Sequence, residues 1–305
     1  MITRIKISIT ISILLLALQL LAAQDVDSTY NALRVESNFF SLIRANHKDS
    51  YITFSQGLGN LEPLVFEALI APYFLLRTSQ NSRWGATVSA PIMLRMQAEY
   101  SFPVRTPSYM PNVTFYHLLA RPDNRHIKPA YLYLTLAHHS NGQEDNFYND
   151  DGSINRQSGD FSTNFIEFGI FFNNIVVPFE GANDYLRTAI EIHPNIGRSE
   201  ELEGQYSFVR WHNSFRIFRT PYKGFRGPRV QTKVETTWMF GEINDAPALN
   251  LKERFNFSVN FAVKPKVLKD VSLFVDFYLG KDYYNMFFDR RIWALRVGLQ
   301  AYSFK

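Results

Sequence analysis

Three side chains in this sequence have the types and spacing that nucleophilic hydrolysis needs. His138 and Ser140 stand two residues apart at the end of the run from Tyr131 to Gly142. Residues at i and i+2 of a strand share one face, which brings an imidazole within reach of a hydroxyl. A serine hydroxyl is a weak nucleophile until an adjacent base takes its proton, and histidine is the usual base. The base in turn requires a partner that fixes its tautomer, a role Asn164 can fill from the next segment. An amide accepts the imidazole N–H without carrying charge, which matters where lipid surrounds the site. A lone His-x-Ser pair is most often surface decoration. The run His138-His139-Ser140-Asn141-Gly142 is rarer, expected by chance in on the order of one chain per thousand.

The elements that must position these groups are strands. Leu132, Leu134 and Leu136 form a row that continues into His138 and Ser140, opposite the row Tyr131, Tyr133, Thr135 and Ala137. Asn164 likewise tops the row Ile166, Phe168 and Ile170, against Thr163, Phe165, Glu167 and Gly169. Polar residues at the ends of two greasy rows predict a site outside a barrel, near one membrane boundary, if the two strands are hairpin neighbours. The same alternation recurs in Val230–Phe240, Phe255–Val263 and Val271–Leu279. About twelve such segments begin near Tyr51, Leu64, Trp84, Pro111, Pro129, Ser162, Tyr185, Gln205, Arg229, Lys252, Asp270 and Arg290, many near the length a tilted membrane strand needs. The expected fold is all-β, an antiparallel transmembrane barrel of about twelve strands over residues 50–305.

Composition agrees with this fold. Aromatic residues reach 15%, with 27 Phe and 16 Tyr, which suits both strands and membrane-interface girdles. The net charge of +4 comes from interspersed cations and anions, so no nucleic-acid stripe is expected. The absence of cysteine excludes disulfides, thiolate metal sites and a lipoprotein anchor. Arg4 and Lys6, the apolar run Ile7–Leu21 and then Ala22-Ala23 read as a signal peptide over residues 1–23, cleaved after Ala23. Residues 24–49 are expected as an N-terminal periplasmic segment, in which Leu33, Phe39, Phe40, Leu42 and Ile43 form the apolar side of a short helix or lie against the barrel. A chain secreted by this route and built of amphipathic strands belongs in the outer membrane of a Gram-negative bacterium.

His138-x-Ser140-Asn141-Gly142, followed by Ser162-x-Asn164, resembles the outer membrane phospholipase A family. Tyr109-x-Pro111 is similar to the family's segment before the strand that precedes the active-site strand, and the pair Asp282–Asn285 and Arg296–Gly298 to its final hairpin. The resemblance implies a calcium-dependent, dimerising barrel that hydrolyses phospholipid acyl esters. Ser140 is then the nucleophile, His138 the base and Asn164 the orienter, with the Gly142 amide in the oxyanion hole beside calcium-bound water. It also implies calcium ligands at the Gln143 carbonyl, Asp145, Asp160 and Glu201, the last on the loop after Glu191-x-x-Pro194. The loop from Ser140 to Asn164 is roughly twice the family's length. Two rival functions stand beside this one. One is a passive porin or structural barrel, against which the bulky inward residues Tyr131, Tyr133, Phe165 and Phe274 argue. The other is a lipid A deacylase, which would need Glu167 on the outer face rather than the inner one.

Overall fold

Period-two alternation leaves every strand with one apolar and one mixed face, and this chain satisfies both by closing its sheet on itself. The structure, a computed structural model, describes residues 39–58, 60–77, 82–119, 130–173, 182–219, 229–268 and 270–301, with side chains in the first helix from Leu42 onward. The signal peptide, Leu33, the side chains of Phe39 and Phe40, and the chain end from Tyr302 lie outside the described residues.

The strands are β1 (Tyr51–Thr53), β2 (Leu64–Ile70), β3 (Tyr73–Leu76), β4 (Trp84–Ser89), β5 (Ile92–Gln97), β6 (Ser108–Tyr109), β7 (Asn112–Leu118), β8 (Ala130–Ser140), β9 (Ser162–Asn173), β10 (Ala182–Ile192), β11 (Val209–Arg219), β12 (Val230–Phe240), β13 (Phe255–Val263), β14 (Val271–Lys281) and β15 (Arg291–Ala301). They make a closed antiparallel barrel of twelve strands, because β2 with β3, β4 with β5, and β6 with β7 are each one strand in two pieces. The three breaks fall at Ala71-Pro72, Ala90-Pro91 and Met110-Pro111. Proline has no N–H to give the ladder, so each strand bends there. The fourth strand therefore starts at Ser108, before the expected Pro111.

Sequential neighbours pair throughout, and β15 closes the ring on β1 with Tyr51 opposite Gln300 and Thr53 opposite Gly298. A Cβ on Gly298 would lie 2.2 Å from the Ile52 carbonyl oxygen, so the seam requires glycine there.

The outer face carries Leu134, Leu136, Ile166, Phe168, Ile190, Phe261, Leu273 and Val275, all exposed. This is a band that only lipid would cover favourably. Among the described residues no helix is long and apolar enough to cross a membrane. The lumen is partly plugged. Helix α1 (Phe39–Asn46) inserts Leu42, Ile43 and Ala45 among Tyr116, Tyr131, Tyr133, Phe171, Tyr185 and Phe218. Arg216 Nη1 caps the helix end by donating to the Ala45 carbonyl (3.1 Å), and its Nη2 pairs with Asp49 at 3.2 Å. Elsewhere inside, Arg95 bridges Glu67 (2.6 Å) and Asp282 (2.8 Å), and Arg296 joins Glu67 at 3.2 Å.

Candidate active site

The β8–β9 ladder runs unbroken from Ala130 opposite Phe172 to Ser140 opposite Ser162, which sets His138 directly across from Asn164. Both strands bring their exposed apolar row to this point, and His138, Ser140 and Asn164 are half-buried at its end. His138 Nδ1 lies 2.8 Å from Asn164 Oδ1. The amide's orientation follows from its other bonds: Nδ2 donates to the carbonyls of Ile196 (2.7 Å) and Gly197 (3.3 Å). Oδ1 is then the acceptor, Nδ1 of His138 carries the proton, and Nε2 is left with a lone pair. That is the tautomer a general base for Ser140 requires. Among the described residues Ser140 Oγ makes no hydrogen bond. The imidazole–hydroxyl contact is open here.

The turn behind Asn164 was not anticipated from the sequence. Gly197 adopts φ +58°, and a Cβ on it would stand 2.8 Å from Asn164 Nδ2. Ser162 Oγ donates to the Gly197 carbonyl (3.1 Å), its N–H donates to Ser199 Oγ (2.9 Å), and the Ser199 N–H returns to the Ser162 carbonyl (2.9 Å). The loop after β10 is thereby stitched to the start of β9 and aims the amide. A glycine three residues after Pro194 was the only trace of this in the sequence.

Gly142 has φ +67°, and no acceptor among the described residues takes its N–H. The preceding Asn141, buried at 2% exposure, fastens the loop base. Its Nδ2 donates to the Gly159 carbonyl (2.8 Å), and its Oδ1 accepts from the N–H groups of Phe161 (3.1 Å) and Gln143 (3.3 Å). Asn141 thus has a structural part that explains its place in the motif. On the other side, the proline break in the preceding strand leaves the Pro111 carbonyl free to accept the His138 N–H (3.0 Å) and pairs Tyr109 with Ser140.

The four residues expected around a cation fall in the two loops beside this site. Asp160 N–H donates to the Asp145 carbonyl (3.0 Å), but the Asp145 side chain is exposed. The Asp160 carboxyl is held above the usual carboxylate range by partial burial, with the charges of Glu201 and Glu144 adding to the effect and a bond from Ser199 opposing it. Asp160, Glu201 and Glu144 therefore share one negative neighbourhood next to Gln143. Hard oxygen donors with unneutralised charge suit a cation such as calcium. Their carboxylates do not converge within coordinating distance as a group of three; among the described residues the acidic group that does so is Glu167, Glu191 and His212, inside the barrel. Glu167 faces the lumen and accepts from Tyr133 Oη at 2.6 Å, as strand parity required.

No protein-family profile matches this chain, and no curated protein matches it in sequence. Solved structures do. Outer membrane phospholipase A from Escherichia coli aligns over 88% of this chain and 99% of its own, with TM-score 0.57 and 10% identity. An active-site mutant of the same enzyme gives TM-score 0.58 at 10% identity over the same shares of both chains. The Salmonella typhi outer membrane phospholipase, a dimer with bound calcium, aligns over 84% of this chain and 90% of its own, with TM-score 0.54 and 12% identity. At such identities the likeness concerns the fold alone: a closed twelve-stranded antiparallel barrel shared with these structures.

Proposed function

We propose that this protein is an outer-membrane phospholipase A that hydrolyses acyl esters of phospholipids and is assisted by calcium. The observation that carries the reading is the 2.8 Å bond between His138 Nδ1 and Asn164 Oδ1 on a lipid-facing row that also holds Ser140. A phospholipid arriving from the outer leaflet meets this row from the side, with its ester near the membrane boundary. Ser140 Oγ attacks the ester carbonyl carbon while its proton passes to His138 Nε2. The carbonyl oxygen, now an anion, is received by the free N–H of Gly142. Collapse of the tetrahedral adduct expels the lysophospholipid alkoxide, which takes the proton from His138 and leaves an acyl-Ser140 ester. Water then repeats the sequence and releases a fatty acid. Asn164 holds the imidazole, steadies it while it is cationic, and brings no charge of its own into the lipid boundary. The Gln143 carbonyl, Asp145, Asp160 and Glu201 would hold calcium, with Glu144 adding negative charge. The ion's contribution is electrostatic stabilisation of the oxyanion. The pairing of two copies through their outer faces would complete the active form, as the resemblance implies.

The test is hydrolysis of a defined phospholipid in detergent micelles, with calcium and then with a chelator, beside Ser140→Ala. Hydrolysis that survives in Ser140→Ala sinks the enzymatic reading, and rates unchanged by chelation remove calcium from it. Lipopolysaccharide offered in parallel distinguishes a lipid A deacylase, and conductance in planar bilayers distinguishes a porin.

A further inference from the structure

We propose a binding site for a phosphorylated sugar among the loops at the Ser140 end of the barrel, independent of the catalytic reading. Three segments meet there around a cavity of about 430 Å³. The end of β5 and its connection to β6 contribute Gln97 and Arg105, the long loop between β8 and β9 contributes Arg156 and Gln157, and the β14–β15 loop contributes Phe287 and Arg290. Bonds between the loops hold the cavity. Thr106 Oγ1 donates to the Gln157 carbonyl (3.0 Å), and Arg156 Nη2 pairs with Asp289 at 2.6 Å. Within the long loop, Asn155 Oδ1 accepts from the N–H groups of Gln157 (3.3 Å) and Ser158 (3.2 Å). The Asn149 N–H donates to the Ser153 carbonyl (2.8 Å), and Asn149 Nδ2 to Ser153 Oγ (2.9 Å). A ligand would thus meet a wall already ordered, and its binding would not have to offset the cost of ordering it.

The charge of the lining is unbalanced. Among the described residues Arg105, Arg156 and Arg290 share the cavity with one carboxylate, Glu99. Arg105 gives one nitrogen to Glu99, at 3.3 Å, and Arg156 gives one to Asp289, so Nη1 of each is left over. Arg290 is exposed and has no carboxylate partner among the described residues; it lies over the Phe287 ring at 4.9 Å. Arg156 is 5.9 Å from the same ring, which gathers two guanidiniums about one phenyl group. Cations collected in this way repel one another, and a ligand with negative oxygens relieves the repulsion. The planar fork of a guanidinium matches the paired oxygens of a phosphate. The side-chain amides of Gln97 and Gln157 line the same space. Each offers a carbonyl and an NH2, the mixture of acceptor and donor that sugar hydroxyls require. A bare anion would use the arginines alone, whereas a phosphate carried on a sugar uses both sets. The loops stand beyond the end of the lipid-facing row, at the level of head groups. A sugar phosphate reaches them from a membrane glycolipid or from solution.

The experiment titrates the full chain, folded in detergent, with glucose 1-phosphate, glucose and inorganic phosphate in a calorimeter. In a second arm the micelles carry lipopolysaccharide, either intact or dephosphorylated. One saturable site for glucose 1-phosphate is expected, with glucose and inorganic phosphate each weaker by about tenfold or more. Arg290→Gln should weaken binding of the sugar phosphate about tenfold or more, while Lys266→Gln, an equal change of net charge at the opposite end of the barrel, leaves it unchanged. Barrels that still shift on heating show that the variants fold. Lipopolysaccharide that binds more tightly than glucose 1-phosphate, and loses this on dephosphorylation and in Arg290→Gln, identifies a membrane source; weaker binding than the free sugar phosphate identifies a soluble one. Absence of saturable binding in both arms overturns the proposal, as does binding that Arg290→Gln leaves intact or that Lys266→Gln weakens equally. Inorganic phosphate bound as tightly as glucose 1-phosphate overturns the sugar assignment.

Discussion

His138 and His139 are neighbours in sequence and opposites in environment. His138 emerges on the lipid-facing row and bonds to a neutral amide; His139 turns inward, is 8% exposed, and packs edge-on against Phe161 with its Nε2 unpartnered. The same division holds for the whole barrel. Outside, the imidazole of His138 is met by a neutral amide rather than a carboxylate, and an isolated ion facing hydrocarbon would be costly. Inside, charges are numerous and paired, as in Glu67–Arg95–Asp282 and Glu191–His193–Arg210. Under the proposed function one face carries the chemistry and the other holds the cylinder together. Changes on the two faces should therefore fail in different assays.

The largest separation comes from Ser140→Ala, which should lower kcat/KM by on the order of 10⁴-fold or more and leave unfolding in urea unchanged. The reverse case is Arg95→Ala. It strands Glu67 and Asp282 in the interior and should cost about 3–5 kcal/mol in an unfolding titration, while the folded fraction retains its specific activity. Asn164→Ala should lower kcat by about 10²-fold with little change in KM, since it removes orientation of the base rather than substrate contact. Gly197→Ala acts one step further back. Its Cβ must displace the Asn164 amide from a backbone conformation unfavourable to alanine, and a loss of about tenfold in kcat is expected with KM little changed. A lowered unfolding midpoint with kcat of the folded fraction unchanged would mean that the turn supports the fold alone.

The smallest effect concerns Asp160. Its carboxyl binds a proton more readily than an ordinary aspartate, so its ionisation opposes folding. Its favourable contribution is present below the ordinary aspartate range and is lost as pH rises through the raised value. A cation reverses that penalty and competes with the proton. Apparent calcium affinity, read from activation curves, should therefore fall as pH drops through the acidic range in the wild type, and this dependence should flatten in Asp160→Asn.

Much of this was legible before any fold was known. Alternation placed all twelve strands within a few residues of where they lie, and parity put Tyr131, Tyr133 and Phe274 inside and Leu134, Leu136, Ile166 and Phe168 outside. The pairing of His138 with Asn164 followed from assuming a hairpin, and the observed ladder has that register. The breaks at Pro72, Pro91 and Pro111 were visible as prolines, but that they interrupt strands without ending them was not. Nor was the helix within the lumen: Leu42 and Ile43 marked an apolar side without saying what it would face.

The order of apolar and polar residues by itself determined the strands, their two faces and which side chains stand on the lipid side, since a period of two is a local property of extended chain. Only the closed barrel decided that the Gly197 turn would grip Asn164, that Asn141 would clasp its loop, and that Glu167, Glu191 and His212 would meet. Those contacts join residues up to 45 positions apart, and loop geometry and cross-strand register bring them together, neither of which leaves a periodic mark in the chain.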